Sequence, residues 1–235
     1  MDKKTVLVDE RISEDCFKAL SDRGFLPVRL PKIPTLPSPI ASHTDIIAFK
    51  LLETVFFSKA YFDMFFDMLS PLFGKNIHLL DCSQGVNYPL DAIFNGLLIG
   101  DRLFCKADTF SSEIIGAARE KNIKIVPVKQ GYPACTALKI SENAVITADR
   151  GMAKALTSEG ISVLLIESGG ISLPPYEYGF IGGAGAADGE YVYFFGDVSL
   201  HPDSKRIIDF IESHGRMAVS LSSEPLVDLG GMIFL

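Results

Sequence analysis

Five residues stand at equivalent places in the sequence, each at the start of a short apolar stretch, and their chemistry suits a cation. They are Asp45, Asp91, Cys135, Tyr178 and Asp228. If these stretches are strands of equivalent units, the side chains converge around one axis, with Asp91, Tyr178 and Asp228 as ligand-binding residues. Carboxylates accept the fork of N–H donors that a planar guanidinium presents. The alternative is structural, because aspartates in turns commonly accept hydrogen bonds from loop amides.

Three of the residues in these loops could also carry out covalent chemistry. His43 stands two residues before Asp45, and Cys135 is the only cysteine in a loop of this kind. A thiol activated by a neighbouring imidazole is a nucleophile, and the carboxylate would anchor a cationic substrate. His43, Asp45 and Cys135 are therefore the candidate catalytic residues. The sequence does not place Cys135 beside His43, and most cysteines serve only in packing.

The sequence supports neither a dinucleotide-binding loop nor a metal site. The glycine-rich run 182–187 precedes a strand pattern at 190–197, whereas a dinucleotide-binding fingerprint must open a helix. None of the four cysteines forms a Cys-x-x-Cys pair, and the histidine and cysteine spacing gives no pair of metal ligands. We therefore expect no cofactor and no metal.

The amino-acid composition indicates which classes of partner and which cellular compartment to expect. The 235 residues are 48% hydrophobic and 22% charged, which is typical of a globular protein. The net charge of −7, without a basic block, argues against nucleic acid as a partner. No stretch of 18 residues lacks a charged side chain, whereas a membrane-spanning helix needs about 20 apolar residues. We expect a cytoplasmic protein with a small-molecule ligand, since the cysteines predict no disulfide framework.

A helix pattern, a glycine or asparagine break and a β-branched strand recur five times along the chain. Ser13 and Ser111 are typical N-cap residues for two of these helices. The strands that follow the helices begin near Phe25, Asn76, Asn122, Gly160 and Gly215. Their spacing is close to one fifth of the chain length. Five units would therefore use the whole chain, residues 1–235, as a single domain.

Before four of the helices the sequence shows two short strand patterns joined by a turn, at 46–59, 93–107, 137–149 and 179–197. The first unit has only one such strand, at 5–9, and the apolar segment 226–235 ends the chain. Pairing these two segments would complete five β-β-α-β modules and close a ring around a pseudo-five-fold axis. An ordinary α/β protein lacks a hairpin before each helix. The predicted fold class is therefore α/β, an α/β-propeller of five modules.

This arrangement resembles the pentein fold of the guanidino-group-modifying enzymes, which include arginine deiminase, dimethylarginine dimethylaminohydrolase, agmatine deiminase and the amidinotransferases. His43-Thr44-Asp45 is similar to the family's His-x-Asp, and the ending LGGMIF at 229–234 resembles its Gly-Gly-Gly-x-His-Cys segment. The resemblance implies a central guanidinium site. Phe234 and Ile233 stand where the family has its nucleophilic cysteine and the preceding histidine, so covalent catalysis there is excluded.

The sequence favours a divergent pentein-type protein that is non-catalytic at the usual cysteine position. It would bind a small cationic, amidine or amino-acid-like ligand in a carboxylate-lined central pocket. One alternative is an amidine hydrolase or amidinotransferase that uses Cys135 with His43 and Asp45. The other is a non-catalytic protein-interaction factor, because the resembling fold family includes a ribosomal anti-association factor.

Overall fold

The computed structural model describes residues 3–73, 76–82 and 84–235 as a mixed α/β protein. Its strands are β1 Lys4–Asp9, β2 Phe25–Leu30, β3 Ala48–Leu51, β4 Thr54–Ser58, β5 Ile77–Leu80, β6 Leu97–Ile99, β7 Arg102–Cys105, β8 Lys124–Pro127, β9 Ala137–Ser141, β10 Ala144–Thr147, β11 Ser162–Leu165, β12 Ile171–Ser172, β13 Gly185–Asp188, β14 Tyr191–Phe194, β15 Met217–Ser220, β16 Leu226–Val227 and β17 Ile233–Phe234. Its helices are α1 Glu14–Asp22, α2 Thr44–Ile47, α3 Lys59–Met64, α4 Phe66–Phe73, α5 Ser112–Glu120, α6 Pro133–Thr136, α7 Arg150–Ser158 and α8 Ser204–Ser213. Two 3-10 turns lie at Leu90–Ala92 and Val198–Leu200.

Five of the sheets share one three-stranded construction, in which a middle strand has one antiparallel and one parallel neighbour. The middle strands are β1, β4, β7, β10 and β14. In each sheet, helical segments connect the middle strand to its parallel neighbour, as a parallel pair requires. The antiparallel neighbours, here called the inner strands, are β17, β3, β6, β9 and β13. The α/β class that the sequence predicts is confirmed.

The two ends of the chain meet in one of these sheets. β1 pairs antiparallel with β17, with Val6 opposite Phe234 and Leu7 opposite Ile233. The pairing of the chain ends is as predicted, but the expectation of one strand over 226–235 is wrong. Gly230 and Gly231 turn the backbone there with φ of 69° and 71°, a conformation that glycine adopts without steric cost. The six sheets stay separate, and no closed sheet runs through the described residues.

The helices begin at side chains that cap them and bury one face each. The Ser13 hydroxyl accepts a hydrogen bond from the Cys16 N–H at 3.2 Å, which satisfies one free donor at the start of α1. Ser111 caps α5 in the same way, and this helix buries Ile114 and Ala118. A cap of this kind contributes about 1 kcal/mol of stability. Both N-cap positions agree with the sequence prediction.

The core lies between the helices and the sheets and is rich in phenylalanine. Phe56, Phe57, Phe94, Phe104 and Phe194 are each no more than 2% exposed. Burial of one such side chain contributes roughly 1.5–3 kcal/mol. None of the described helices has both the length and the apolar character needed to cross a membrane.

Short helical turns precede three inner strands, and one of them includes Ile46 and Ile47, for which the sequence predicted strand. α2 precedes β3, the first 3-10 turn comes shortly before β6, and α6 precedes β9. The predicted strand starts at residues 46, 93 and 179 are wrong, because these strands begin at Ala48, Leu97 and Gly185, whereas the predicted start at residue 137 agrees with β9. Gly182 and Gly183 have no side chain to pack in a sheet, which disfavours strand there. The turns carry Asp45, Asp91 and Cys135 in a helical conformation.

Candidate functional site

His43 and Asp45 lie at the start of α2, in a turn that is held by the C-terminal segment. The Asp45 N–H donates to the Gly230 carbonyl at 3.3 Å, and the Thr44 hydroxyl donates to the Gly231 carbonyl at 3.0 Å. A Cβ atom added at Gly230 would lie 2.5 Å from the His43 Cβ, closer than real atoms approach. The C-terminal glycines therefore allow the close approach that fixes His43 and Asp45.

Cys135 lies in α6, which two other loops hold in place. The Ala134 N–H donates to Asn95 Oδ1 at 2.9 Å. The Cys135 carbonyl accepts a hydrogen bond from the Gly183 N–H at 3.0 Å. These bonds tie the turn that carries the thiol to two segments that precede other inner strands. The position of the turn that carries the sulfur is therefore set by contacts with two other parts of the chain.

Four side chains form what we call the buried cluster: His43, Asp45, Cys135 and Asp228. The Cys135 Sγ lies 4.0 Å from His43 Nδ1, and Asp45 Oδ1 lies 4.0 Å from the same nitrogen. On the other side of the ring, His43 Nε2 lies 3.9 Å from Asp228 Oδ1. All four residues are less than 9% exposed. The imidazole thus stands between a thiol and a carboxylate, which is the order of a catalytic triad.

Asp228 is held rigidly. Its Oδ2 accepts from the Phe180 N–H at 2.8 Å and its Oδ1 from the Gly230 N–H at 3.1 Å. A Cβ atom at Gly183 would lie 1.8 Å from Asp228 Oδ1, so only glycine leaves room for the carboxylate. Both backbone bonds show that Asp228 orders its own loop. Its Oδ1 lies 3.9 Å from His43 Nε2, beyond hydrogen-bond distance, so it acts on the imidazole through its charge.

Burial shifts the pKa values of the cluster side chains in the directions that favour their neutral forms. Desolvation raises the pKa of Asp45 to about 7, and the neighbouring Asp228 charge adds to the increase. Desolvation and the charges of Asp45 and Asp228 raise the pKa of the Cys135 thiol well above its usual value. Desolvation lowers the pKa of His43, although Asp228 opposes that shift. A cation placed among these groups would reverse the shifts of Asp45 and Cys135.

The cluster region also holds buried polar atoms without hydrogen-bond partners. Within the described residues, the unpartnered side-chain atoms are His43 Nε2, Asp45 Oδ1 and Oδ2, Asp91 Oδ1 and Asn95 Nδ2. Buried polar groups in folded proteins are nearly always paired, because an unpaired group costs about 1–3 kcal/mol. Three of these five atoms are carboxylate oxygens, which accept only. These carboxylate oxygens are complementary to a ligand that donates hydrogen bonds and carries positive charge, whereas Asn95 Nδ2 can only donate.

A cavity of about 520 Å³ runs along the inner strands and reaches Asp45. We call it the strand-lined cavity. Thr44, Asp45, Gly182 and Gly230 contribute to its wall near the buried cluster. Its size lies within the range typical of small-molecule sites. The Asp45 carboxylate is thus adjacent to a space that can hold a small molecule.

Among the described residues, no hydrogen bond or ion pair joins Asp91 or Tyr178, which the sequence grouped with the cluster residues, to the four side chains of the buried cluster. Asp91 is buried, and its Oδ2 accepts a hydrogen bond from the Tyr132 hydroxyl at 2.7 Å. Tyr132 is the N-cap of α6 and precedes Cys135 by three residues. Tyr178 lies at the surface and is 38% exposed. Their assignment as ligand-binding residues stays a prediction.

The sequence analysis missed Asn95 and Asp9. Asn95 is buried beside Cys135 and Asp45, and its contact lowers the pKa of both groups. Asp9 is fully buried, accepts from the Ser42 hydroxyl at 2.7 Å and is paired with Arg11. The only sequence signal for Asn95 is one polar residue within the apolar run AIFNGLLI, and Asp9 ends the strand TVLVD.

The buried cluster also contains a set of possible metal ligands. His43, Asp45 and Cys135 each offer one ligand atom, and these atoms lie within 4.8 Å of one another. Imidazole, carboxylate and thiolate together suit zinc and related transition metals. The sequence-based expectation of no metal therefore stays a prediction.

A family model matches residues 7–233, which is nearly the whole chain, and its description is "Family of unknown function (DUF6873)". The chain belongs to the DUF6873 family. The search of curated proteins gave no match for this DUF6873 chain.

Several solved structures with a similar fold are structures of enzymes. A mutant of dimethylarginine dimethylaminohydrolase from Pseudomonas aeruginosa with citrulline superposes with a TM-score of 0.63, 9% identity and full coverage of both chains. Substrate-bound agmatine deiminase from C. jejuni gives 0.55 and 7%, with 94% of this chain and 88% of that chain covered. The amidinotransferase SxtG from Microseira wollei gives 0.54 and 12%, with 88% and 72% covered. The DUF6873 chain therefore has the pentein fold of these guanidino-modifying enzymes.

Proposed function

We propose that this protein is a thiol-dependent hydrolase or transferase that acts on the amidine carbon of a guanidinium or amidinium compound. Its five modules would surround a pseudo-five-fold axis, with the buried cluster at one end of that axis. The observation that carries the proposal is the row Cys135, His43, Asp228, with gaps of 4.0 Å and 3.9 Å. This row provides a nucleophile, a base and an orienting carboxylate.

Each cluster residue has a distinct role in this proposal. His43 Nδ1 takes the proton of the Cys135 thiol, and Asp228 holds the opposite ring nitrogen as the donor. Asp45 accepts hydrogen bonds from the substrate cation, since neither of its carboxylate oxygens has a partner among the described residues. Asn95, beside both the thiol and Asp45, stabilises whichever of the two is ionised.

A bound substrate cation would favour the ionised form of the Cys135 thiol. Without it, burial and two carboxylates keep the pKa of Cys135 high and the sulfur protonated. A guanidinium bound to Asp45 brings a positive charge next to the sulfur and favours the thiolate. Deprotonation is therefore coupled to substrate binding, so that neutral electrophiles would react slowly.

The reaction follows from these roles. The Cys135 thiolate forms a C–S bond to the amidine carbon, while the thiol proton passes to His43. His43 returns this proton to a nitrogen of the tetrahedral adduct, that C–N bond breaks, and ammonia or an amine leaves. Cys135 then carries the amidino group. Water attacks the same carbon and gives a proton to His43. The C–S bond then breaks to release a urea-type product, and His43 returns the proton to the Cys135 sulfur. An amine in place of water would give transfer.

Two structures with a similar fold support this substrate class, because their proteins are named for acting on dimethylarginine and agmatine. They are a dimethylarginine dimethylaminohydrolase adduct and agmatine deiminase with its substrate. In this chain, Phe234 lies in the β1–β17 pair at 7% exposure, where the resemblance expects the nucleophilic cysteine. We assign the nucleophile to Cys135 instead. A thiol of this kind must stay reduced, which fits a cytoplasmic protein.

Two electrophiles of nearly the same shape test the proposal. 2-Chloroacetamidine is cationic and 2-chloroacetamide is neutral, and both alkylate thiols. We expect the amidine to label Cys135 at least tenfold faster, as followed by peptide mass spectrometry. In Asp45→Asn the ratio of the two labelling rates should fall toward the ratio for free cysteine. Cys16→Ser is the control and should leave the ratio unchanged. Equal labelling by both reagents in the unmodified protein would contradict the proposal.

Binding without chemistry is the second candidate, and the raised pKa of Cys135 favours it. In that case alkylguanidines would stabilise the protein against heat while no product forms. The same compounds should then protect Cys135 from alkylation. Product formation that depends on Cys135 would decide for the enzyme.

A further inference from the structure

The strand-lined cavity has two ends with opposite chemistry. The inner strands run from the loops of the buried cluster to the hairpin turns, and residues from both places line the cavity. Asp45 belongs to the cluster end. The turn end is lined by Lys4, Lys50, Lys139, Glu142, Asp188 and Arg216. The cavity therefore extends from a carboxylate without a partner to a group of mainly basic side chains.

Most of the charges at the turn end already have partners. Lys4 forms an ion pair with Asp188, and Lys139 pairs with Glu142 at 2.6 Å. Arg216 donates to a backbone carbonyl and also lies near Glu142. The two lysines are therefore balanced by carboxylates, and Arg216, which has no carboxylate within 4.0 Å in the described part of the chain, makes its hydrogen bond at an exposed position.

Lys50 differs from them. Its ammonium donates to the Phe234 carbonyl at 2.6 Å, and no carboxylate of the described residues lies within 4.0 Å of it. Burial lowers the pKa of Lys50, although Glu53 and Asp188 oppose the shift from farther away. Lys50 is thus a half-buried cation without a close counterion, just as Asp45 is a buried carboxylate without one.

We propose that the turn end of the cavity is an anion subsite centred on Lys50. The ligand would then carry a guanidinium or amidinium at Asp45 and a carboxylate or similar anion at Lys50. This inference rests on the proposed function for its cationic end only. Asp45 and Lys50 are separated by part of α2 and two residues of β3, a span on the order of 10 Å at strand rise. Longer chains between the two groups should therefore bind better than short ones.

Binding should be measured by calorimetry with Cys135→Ser, which cannot turn the ligands over. The probes are hexylguanidine, 6-guanidinohexanoate, 3-guanidinopropionate and 6-aminohexylguanidine. We expect 6-guanidinohexanoate to bind about tenfold tighter than hexylguanidine, because it gains one charge-assisted hydrogen bond. 3-Guanidinopropionate should lose this advantage. 6-Aminohexylguanidine should bind more weakly than both hexylguanidine and 6-guanidinohexanoate.

Two lysine variants locate the subsite. Lys50→Gln should abolish the preference for 6-guanidinohexanoate over hexylguanidine. Lys139→Gln is the matched control, since this lysine lines the same cavity but is paired with Glu142. If Lys50→Gln does not fold, the probe series on the protein with Lys50 intact still decides.

The outcomes separate the two proposals. If no guanidine binds, both the proposed function and the subsite are wrong. If hexylguanidine binds but the six-carbon acid binds no better, the subsite alone is wrong. A preference for the amine, or an equal loss in Lys139→Gln and Lys50→Gln, would also overturn the subsite.

Discussion

The Asp45 carboxyl should make the free protein less stable as the pH rises, and Asp45→Asn should remove this effect. Its pKa is raised from 3.8 to about 7 in the folded chain, mainly by burial. The folded state therefore binds a proton more tightly than the unfolded state. The stability that this proton provides is complete below pH 4 and is lost as the pH rises through about 7.

The magnitude follows from the shift. One pKa unit corresponds to 1.36 kcal/mol, so a shift of this size is worth up to about 4 kcal/mol between pH 4 and pH 8. Asp45 is only 8% exposed, which leaves little solvent to screen the effect. The asparagine amide is nearly isosteric and has no charge to desolvate, so the variant should gain stability relative to the original protein as the pH increases.

Urea denaturation followed by circular dichroism, at pH 4, 6 and 8, measures the difference in unfolding free energy. His43 titrates in both proteins, and its lowered pKa destabilises both as the pH falls below about 6.5, so the difference isolates Asp45. Saturation with an alkylguanidinium should flatten the pH dependence of the original protein. A constant difference between the two proteins from pH 4 to pH 8 would refute the reasoning.

Three further substitutions test the surroundings of the cluster. Gly183→Ala should displace the Asp228 carboxylate, because its Cβ would lie 1.8 Å from Oδ1; we expect a loss of about 1–3 kcal/mol in urea denaturation, and an unchanged stability would contradict the packing. Arg11→Ala should cost about 2–3 kcal/mol by leaving the buried Asp9 charge without its pair, and Arg11→Lys should recover part of it. Asn95→Ala should slow the alkylation of Cys135 by iodoacetamide severalfold, because the amide that lowers the thiol pKa is removed; equal rates would exclude this contact.

Local signals in the sequence identified much of the fold. Alternating apolar residues predicted the hairpins, such as β9 with β10, and hydroxyl caps predicted helix starts at Ser13 and Ser111. The apolar ending of the chain predicted its pairing with the first strand. Each of these features depends on residues that are close in the sequence or on a strong hydrophobic pattern.

The features that could not be predicted from the sequence depend on contacts between residues that are far apart in the chain. The α2 turn is held by a bond from Asp45 to Gly230, which lies 185 residues later in the chain (230 − 45), so its helical form has no local signal. Cys135 and His43 are 92 residues apart in the chain, and only the folded structure places them 4.0 Å apart. Asn95 was missed for the same reason, because its partner Ala134 lies in another unit.

Covalent chemistry at Cys135 is the central claim, and trapping its intermediate is the most direct test. The protein is incubated with an alkylguanidine or with the preferred guanidino acid, quenched in acid during turnover, and mapped by peptide mass spectrometry. We predict an amidino group on Cys135, absent in Cys135→Ser and reduced in His43→Gln. Product formation without this adduct, or an adduct on another cysteine, would contradict the assignment of the nucleophile.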